Sequence, residues 1–349
     1  MSLPDHEDGS HDLTFTVLIG TFNGSRTLGL ALDAIEEQDT EYTYEVLIVN
    51  DGSTDSTSEV AQRPGVRLIN LDTNQGHGHA LNVGLANARG RFVAMMDDDC
   101  VPPREWLQQL GLAWSQVDPE VTMIGGLVEP FETDTFNRRY VEFRRPLKHQ
   151  EAEIDETTGF WTRLIYQFSS PKVRLDDRSV YYTVGANMSV RTDAARQVGG
   201  FTEVRGAGEE ESLARPLRAQ FGPDTVQLFP NIIMRHNFHP SLRDTLRRSR
   251  NYGRTNGSDW IRDHDIPSIS PLLPCATLVA GLIAFVSPVT SVVVLALSPY
   301  VLYRRWYGWL KSRGVRESII YPYVQASEDL ANNMGFVQGV WHELRSRRK

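Results

Sequence analysis

The chain is poor in cysteine. Of its 349 residues only Cys100 and Cys275 carry a thiol, and their contexts differ, so no disulfide framework is indicated and a reducing compartment fits. A basic arm is also missing, and the net charge is -8, which argues against nucleic acid as a partner. Neither GxxxxGK[ST] nor GxGxxG follows the first strand-like segment, so any phosphate here needs a metal rather than a glycine cradle. Residues 1–12 are polar and acidic, without the basic and apolar regions of a signal peptide, and read as a disordered lead-in. Finally, residues 266–303 hold no charge at all.

What is present alternates between strand and helix patterns. Apolar, β-branched runs at 14–20, 44–50, 66–71, 92–96 and 121–128 read as strands. Helical patterns lie between them at about 25–37, with Leu28, Leu30, Leu32 and Ile35 as its apolar side, at 80–88 and at 104–116. Further strands are expected at 181–190, interrupted by Gly185, Ala186 and Asn187, and at 225–229 and 232–236. Helices are expected at 192–198 and from Glu209 to about 219. Residues 129–180 read as an irregular insertion, partly helical near 137–145. Such alternation with short loops predicts an α/β fold with a mostly parallel sheet. Ligands in such sheets bind beyond the carboxyl ends of the strands.

The segment at 91–103, RFVAMMDDDCVPP, is the centre of this pattern. An apolar strand runs out of the core into Asp97, Asp98 and Asp99. Alternation lets Asp97 and Asp99 share a side, and two like charges there invite a hard divalent cation. A solvated acidic turn is the plain alternative. Asn23 and Asp51 also stand at strand ends, so three polar ends converge on one rim.

In order and spacing, TFN at 21–23, DGSTD at 51–55, NQGHGHALNVGLANARG at 74–90 and DDDCVPP at 97–103 resemble the inverting family 2 glycosyltransferases of the GT-A fold. So do GANMSVR at 185–191, GGF at 199–201 and GEEESL at 208–213. The resemblance covers roughly residues 13–255 and implies a nucleotide-diphospho-sugar transferase that moves a sugar to a hydroxyl acceptor. It implies that Asp51 binds the base of a UDP- or GDP-sugar donor, with Thr21, Asn23, Asn74, Gly76 and Asp98 lining the same site. Asp97 and Asp99 would form the DXD pair on Mg2+ or Mn2+, Asp97 nearer the ribose or sugar and Asp99 on the metal. Gly185, Ala186 and Asn187 would shape the acceptor side. Glu210 would be the catalytic base, with Glu209 or Glu211 serving if the register differs. His236, preferred over His239, would complete the metal shell or touch the diphosphate. Arg247, Arg248, Arg250 and Arg254 follow at helical spacing and suit phosphates or anionic lipid. The family's processive synthases carry QxxRW in this region; its absence and the lack of multiple spans favour a single addition. A catalytically idle, membrane-bound scaffold and a sugar nucleotidyltransferase are the competing readings.

The uncharged stretch is broken at Ser287-Pro288 and Ser298-Pro299 into halves that are each short for a full span. Basic residues flank it on both sides, which places both ends on the cytoplasmic face. A membrane-associated C-terminal region over 256–349 is therefore expected: a hydrophobic helical hairpin that dips into the bilayer, Trp306, Tyr307 and Trp309 at the interface, and a surface helix at about 323–344. A buried helical pair in a soluble domain is the alternative. The acceptor would then be lipid-linked or a cell-surface polysaccharide precursor, and the catalytic domain would face the cytoplasm.

Overall fold

A computed structural model describes residues 13–144, 178–180, 182–202, 208–238, 241–263, 269, 272–302 and 316–347. The described residues fall into two compact units. His239, Trp306, Tyr307, Trp309 and most of the expected insertion lie outside them.

The first unit is built on a single sheet. Its strands are β1 (Phe15–Thr21), β2 (Tyr44–Asn50), β3 (Val66–Asn70), β4 (Phe92–Met95), β5 (Cys100–Val101), β6 (Met123–Pro130), β7 (Met188–Arg191) and β8 (Val226–His236). The order is β3-β2-β1-β4-β7-β6-β8-β5. The first four strands in that order run parallel, β6 and β8 run parallel, and β7 runs antiparallel to both β4 and β6. The reversal at β7 was not visible in the apolar pattern, because a strand buried on both faces reads alike in either direction.

Helices cover both faces of the sheet. On one face α1 (Leu28–Glu36), α2 (Thr57–Ala61) and α4 (Trp106–Trp114) pack Leu28, Leu32, Ile35, Trp106 and Trp114 against Val17, Ile19 and Phe92. On the other α3 (His77–Asn87), α6 (Thr192–Gln197) and α7 (Glu209–Phe221) pack Leu81, Leu85, Leu213 and Leu217 against Leu18, Leu47 and Val93. Alternate strand residues thus feed opposite cores, each large apolar side chain contributing about 1.5–3 kcal/mol. Phe92 and Trp114 stack at 4.3 Å between centroids. Leu30, expected on the buried side of α1, is 39% exposed, and Ala31 takes its place in the core. Only Ala31 shares the buried arc with Leu28, Leu32 and Ile35 at 3.6 residues per turn.

The second unit contains α5 (Phe136–Arg144), α8 (Leu242–Asp263), α9 (Leu272–Ala284), α10 (Pro288–Leu302) and α11 (Tyr321–Ser346). Residue 255, the expected domain boundary, falls inside α8. Helices α8 and α11 lie backbone to backbone. A Cβ added at Gly253 or Gly257 would strike the carbonyl oxygens of Asn332 or Phe336, and one at Gly335 or Gly339 those of Arg250 or Arg254. A buried Glu328 accepts hydrogen bonds from the Tyr140 hydroxyl and, at 3.1 Å, from Ser249. The short helices α9 and α10 pack on each other, with Ser291 Oγ donating to Ala280 O at 2.7 Å. Among the described residues no helix is long and apolar enough to cross a membrane.

Candidate active site

The polar strand ends of the first unit converge. β1 ends at Thr21, whose hydroxyl donates to the Asp98 carboxylate. Beyond it, Asn23 adopts φ 56°, a left-handed conformation that asparagine tolerates. Its Oδ1 accepts from Thr54 N at 2.9 Å, and its own N–H donates to Ser53 Oγ at 2.8 Å, so the first and second strand-end loops are tied together. β2 delivers Asp51, almost fully buried, whose two oxygens accept from the N–H groups of Gln75 and Gly76 at 2.8 Å each. Asp51 therefore braces the loop carrying Asn74 and Gly76, and it keeps a second lone pair on each oxygen. This bracing also explains why α3 begins at His77, a turn earlier than its apolar pattern suggests.

β4 runs out into the acidic corner. Asp97, Asp99, Cys100 and His236 each offer one ligand atom, and these atoms lie within 4.8 Å of one another. His236 Nε2 stands 3.2 Å from Asp99 Oδ1 and 3.7 Å from Asp97 Oδ2. The imidazole is buried and stacked on Phe238 at 4.2 Å, and its Nδ1 has no hydrogen-bond partner. Two carboxylates, a buried imidazole with an orphaned nitrogen and a thiol form a donor set that fits a divalent cation.

Asp98 turns away from this cluster. Burial, with Asp99 and Asp97 adding to the rise, pushes its carboxyl up to about 6 against the pull of the Thr21 hydroxyl.

The opposite wall comes from α7. Its first turn is Glu209, Glu210 and Glu211, following Gly208 in a left-handed conformation. Glu211 pairs along the helix with Arg215 at 3.4 Å. Glu210 instead faces Gly185, where an added Cβ would sit 3.8 Å from its Oε2. Burial pushes the Glu210 carboxyl up to about 7, with Glu209 and Asp97 adding to the rise. Glu209 is raised as well, chiefly by burial.

Asn187 is not brought to this rim. Its side chain is fully buried, accepting from Trp106 Nε1 at 2.9 Å and donating to Leu127 O at 2.9 Å and Ile232 O at 3.0 Å. Its amide is consumed by the scaffold, and the contact with Glu210 falls to Gly185.

Sequence reasoning passed over two residues of the cluster. His77 lies over Gly20, where an added Cβ would sit 3.1 Å from its Cε1, and it pulls down the Asp98, Glu209 and Glu210 carboxyls. Its GHGH setting in the loop was the available signal. Cys100 is the second, and its place directly after the acidic triplet was the available signal.

Known proteins agree with this architecture. The chain is 32% identical over 193 residues to the glycosyltransferase AglE of Haloferax volcanii, covering 53% of this chain and 55% of that one. It is 35% identical over 98 residues to a dolichyl-phosphate beta-glucosyltransferase of Homo sapiens, covering 24% of this chain and 30% of the relative. It thus spans about half or less of the length of these curated relatives. The structure of the mannosyltransferase PcManGT from Pyrobaculum calidifontis, in complex with GDP-Man and Mn2+, superposes with a TM-score of 0.54 at 17% identity, covering 95% of this chain and 88% of that one. That likeness bears on the fold, which is GT-A-like. The model of glycosyl transferase family 2 matches residues 16–199, more than half of the chain and including the ends of β1, β2 and β4, and the chain belongs to that family.

Proposed function

We propose that this glycosyltransferase moves one sugar from a nucleoside-diphosphate donor to a hydroxyl of a lipid-linked acceptor or a cell-surface polysaccharide precursor, with inversion. The observation that carries this reading is a carboxyl near neutral pKa, Glu210, beside Gly185 and close enough to the metal-ligating corner of Asp97, Asp99 and His236 for the Asp97 charge to raise it. Thr21, Asn23, Asp51, Asn74, Gly76 and Asp98 hold the donor. A bound Mg2+ or Mn2+ would neutralise charge on the departing diphosphate. Glu210 takes the proton of the acceptor hydroxyl, and a base with a pKa near the working pH is the efficient choice. One base without a covalent nucleophile gives a single displacement, hence inversion. Glu209 raises Glu210 through its charge and is the second candidate for the base.

Two named likenesses support the substrates. PcManGT was solved with GDP-Man and Mn2+, and several relatives are dolichyl-phosphate glucosyltransferases. The second unit supports a membrane partner. In the turn between α9 and α10 Phe285 is 90% and Val286 88% exposed, and on the two helices Leu278, Leu282, Val289 and Val292 are also exposed. On α11, Leu330, Met334, Val337 and Trp341 form an exposed apolar stripe, and α8 exposes Arg243, Arg247, Arg250 and Arg254. Helices apolar on their exposed faces beside a basic row suit an anionic bilayer surface. The positive flanks of the uncharged stretch favour the cytoplasmic side.

The test is transfer from radiolabelled UDP- and GDP-sugars to polyprenyl phosphates in mixed micelles, with the anomeric configuration of the product read by NMR. A product retaining the donor configuration would overturn the mechanism. Absence of both donor binding and turnover would favour the scaffold, and pyrophosphate release from a nucleoside triphosphate would favour the nucleotidyltransferase.

A further inference from the structure

We propose that Cys100 is a ligand of the divalent-metal centre, making it a mixed sulfur, nitrogen and oxygen site that takes thiophilic ions. The inference rests on the metal-dependent reading above. Cys100 and His236 are direct partners across the antiparallel β5–β8 pair. Directly opposed residues project from the same face, so sulfur and imidazole rise together toward Asp97 and Asp99. Cys100 is fully buried, and its contact with Ala186 O is long at 3.8 Å. That weak bond leaves the sulfur lone pairs available. His236 points to a ligand independently: it is 1% exposed, and its Nε2 is aimed at both carboxylates.

Binding breaks the S–H bond of Cys100, sends the proton to solvent and forms a sulfur–metal bond, with no change of oxidation state. Thiolate prefers Zn2+, Co2+ or Cd2+, whereas carboxylates alone suit Mg2+. A site without the sulfur would still follow the general order of metal affinities. What distinguishes the proposal is the part of the preference that depends on Cys100.

The experiment titrates Cd2+ into the metal-free full chain and records the ultraviolet thiolate-to-metal charge-transfer band. Cys275 is exposed and remote in sequence, so Cys275→Ser leaves Cys100 as the single thiol without disturbing the core. The Cys275→Ser protein should show the band at one equivalent. Cys100→Ser should lack it, lose at least about tenfold in Cd2+ affinity, the loss even supporting residues of metal sites produce, and keep Mg2+ affinity within about twofold. Calorimetric Cd2+ binding by Cys275→Ser without a band overturns the proposal. So does a band in wild type that survives Cys100→Ser and disappears with Cys275→Ser. Should Cys100→Ser fail to fold, the Cys275→Ser titration decides by itself. A band in a protein that transfers no sugar keeps the centre and sinks the transferase reading. Mg2+-supported transfer without a band does the reverse.

Discussion

Thr21 Oγ1 donates a hydrogen bond to Asp98 Oδ2, joining the end of β1 to the acidic corner. Gly24 closes over this pair, and an added Cβ there would strike both side chains. Thr21→Val removes the donor and leaves an enclosed carboxyl underserved, which should cost about 1–2 kcal/mol. Urea unfolding at neutral pH reads this directly. An unchanged midpoint and slope would mean that the bond contributes nothing to the fold.

Asp99→Ala and Asp97→Ala should each abolish metal-dependent nucleotide binding while the protein stays folded. Removing a carboxylate from a like-charged cluster relieves repulsion, so the melting temperature without metal should not fall. Calorimetry with UDP and GDP, with and without chelator, checks this. Affinity that is equal to wild type and indifferent to chelator would remove both residues from the metal site.

Glu210→Gln keeps the shape of the carboxyl and removes its basicity. It should bind donor normally and lose about 10²–10⁴-fold in transfer rate. In wild type the rate should rise with pH through about 7, since only the deprotonated form accepts the proton. Stability moves the other way. A carboxyl whose pKa is raised on folding contributes fully below about 4.5 and loses that contribution as pH climbs through about 7. Glu210→Gln should therefore stabilise the protein at pH above about 7. If Glu209→Gln or Glu211→Gln abolishes transfer while Glu210→Gln does not, the base has been misassigned.

If the apolar surface of the second unit meets a bilayer, Phe285→Asp with Val286→Asp should release the chain from anionic vesicles. Arg247→Glu with Arg250→Glu should weaken binding to anionic vesicles and leave binding to neutral ones unchanged. Flotation gradients separate the outcomes. Wild-type protein that fails to float with either vesicle would end the membrane reading.

The helix pair offers a stability test. Gly335→Val places methyl groups where α11 meets the α8 backbone at Arg250. Overpacking of this kind costs about 1–3 kcal/mol. Thermal unfolding should show it, while Gly281→Ala, inside α9 with open space around it, should instead stabilise by up to about 1 kcal/mol.

The parts of the site legible in sequence are those where local chemistry breaks a local pattern. Asp97 and Asp99 stood out because an apolar strand ends abruptly in like charges, and Asp51 because a β-branched run ends in a turn. The pairing of Cys100 with His236 could not be read, because it depends on strand register between segments 136 residues apart. Asn187 misled for the opposite reason. Its acceptor-side role came from the resemblance alone, and a buried polar group with complete hydrogen bonding looks the same in sequence as an exposed one. Leu30 shows the limit of counting leucines: phase along the helix, not residue type, decides which side is buried.

The buried amide of Asn187 also bears on how the sheet comes apart. Between Gly125 and Leu127 the β6–β8 ladder slips: partners Leu228 and Ile233 are five positions apart on β8 where β6 advances two. At this slip Asn187 Nδ2 reaches Leu127 O on one strand and Ile232 O on the other. A side chain thus supplies the crosspiece that the peptide backbone omits. Such a seam can yield locally without unfolding of the whole sheet. Amide protons around Leu127 and Ile233 should exchange with deuterium sooner than those of the unbroken β1–β2 ladder, and Asn187→Asp, which loses both donors, should turn that seam into the first place the protein opens.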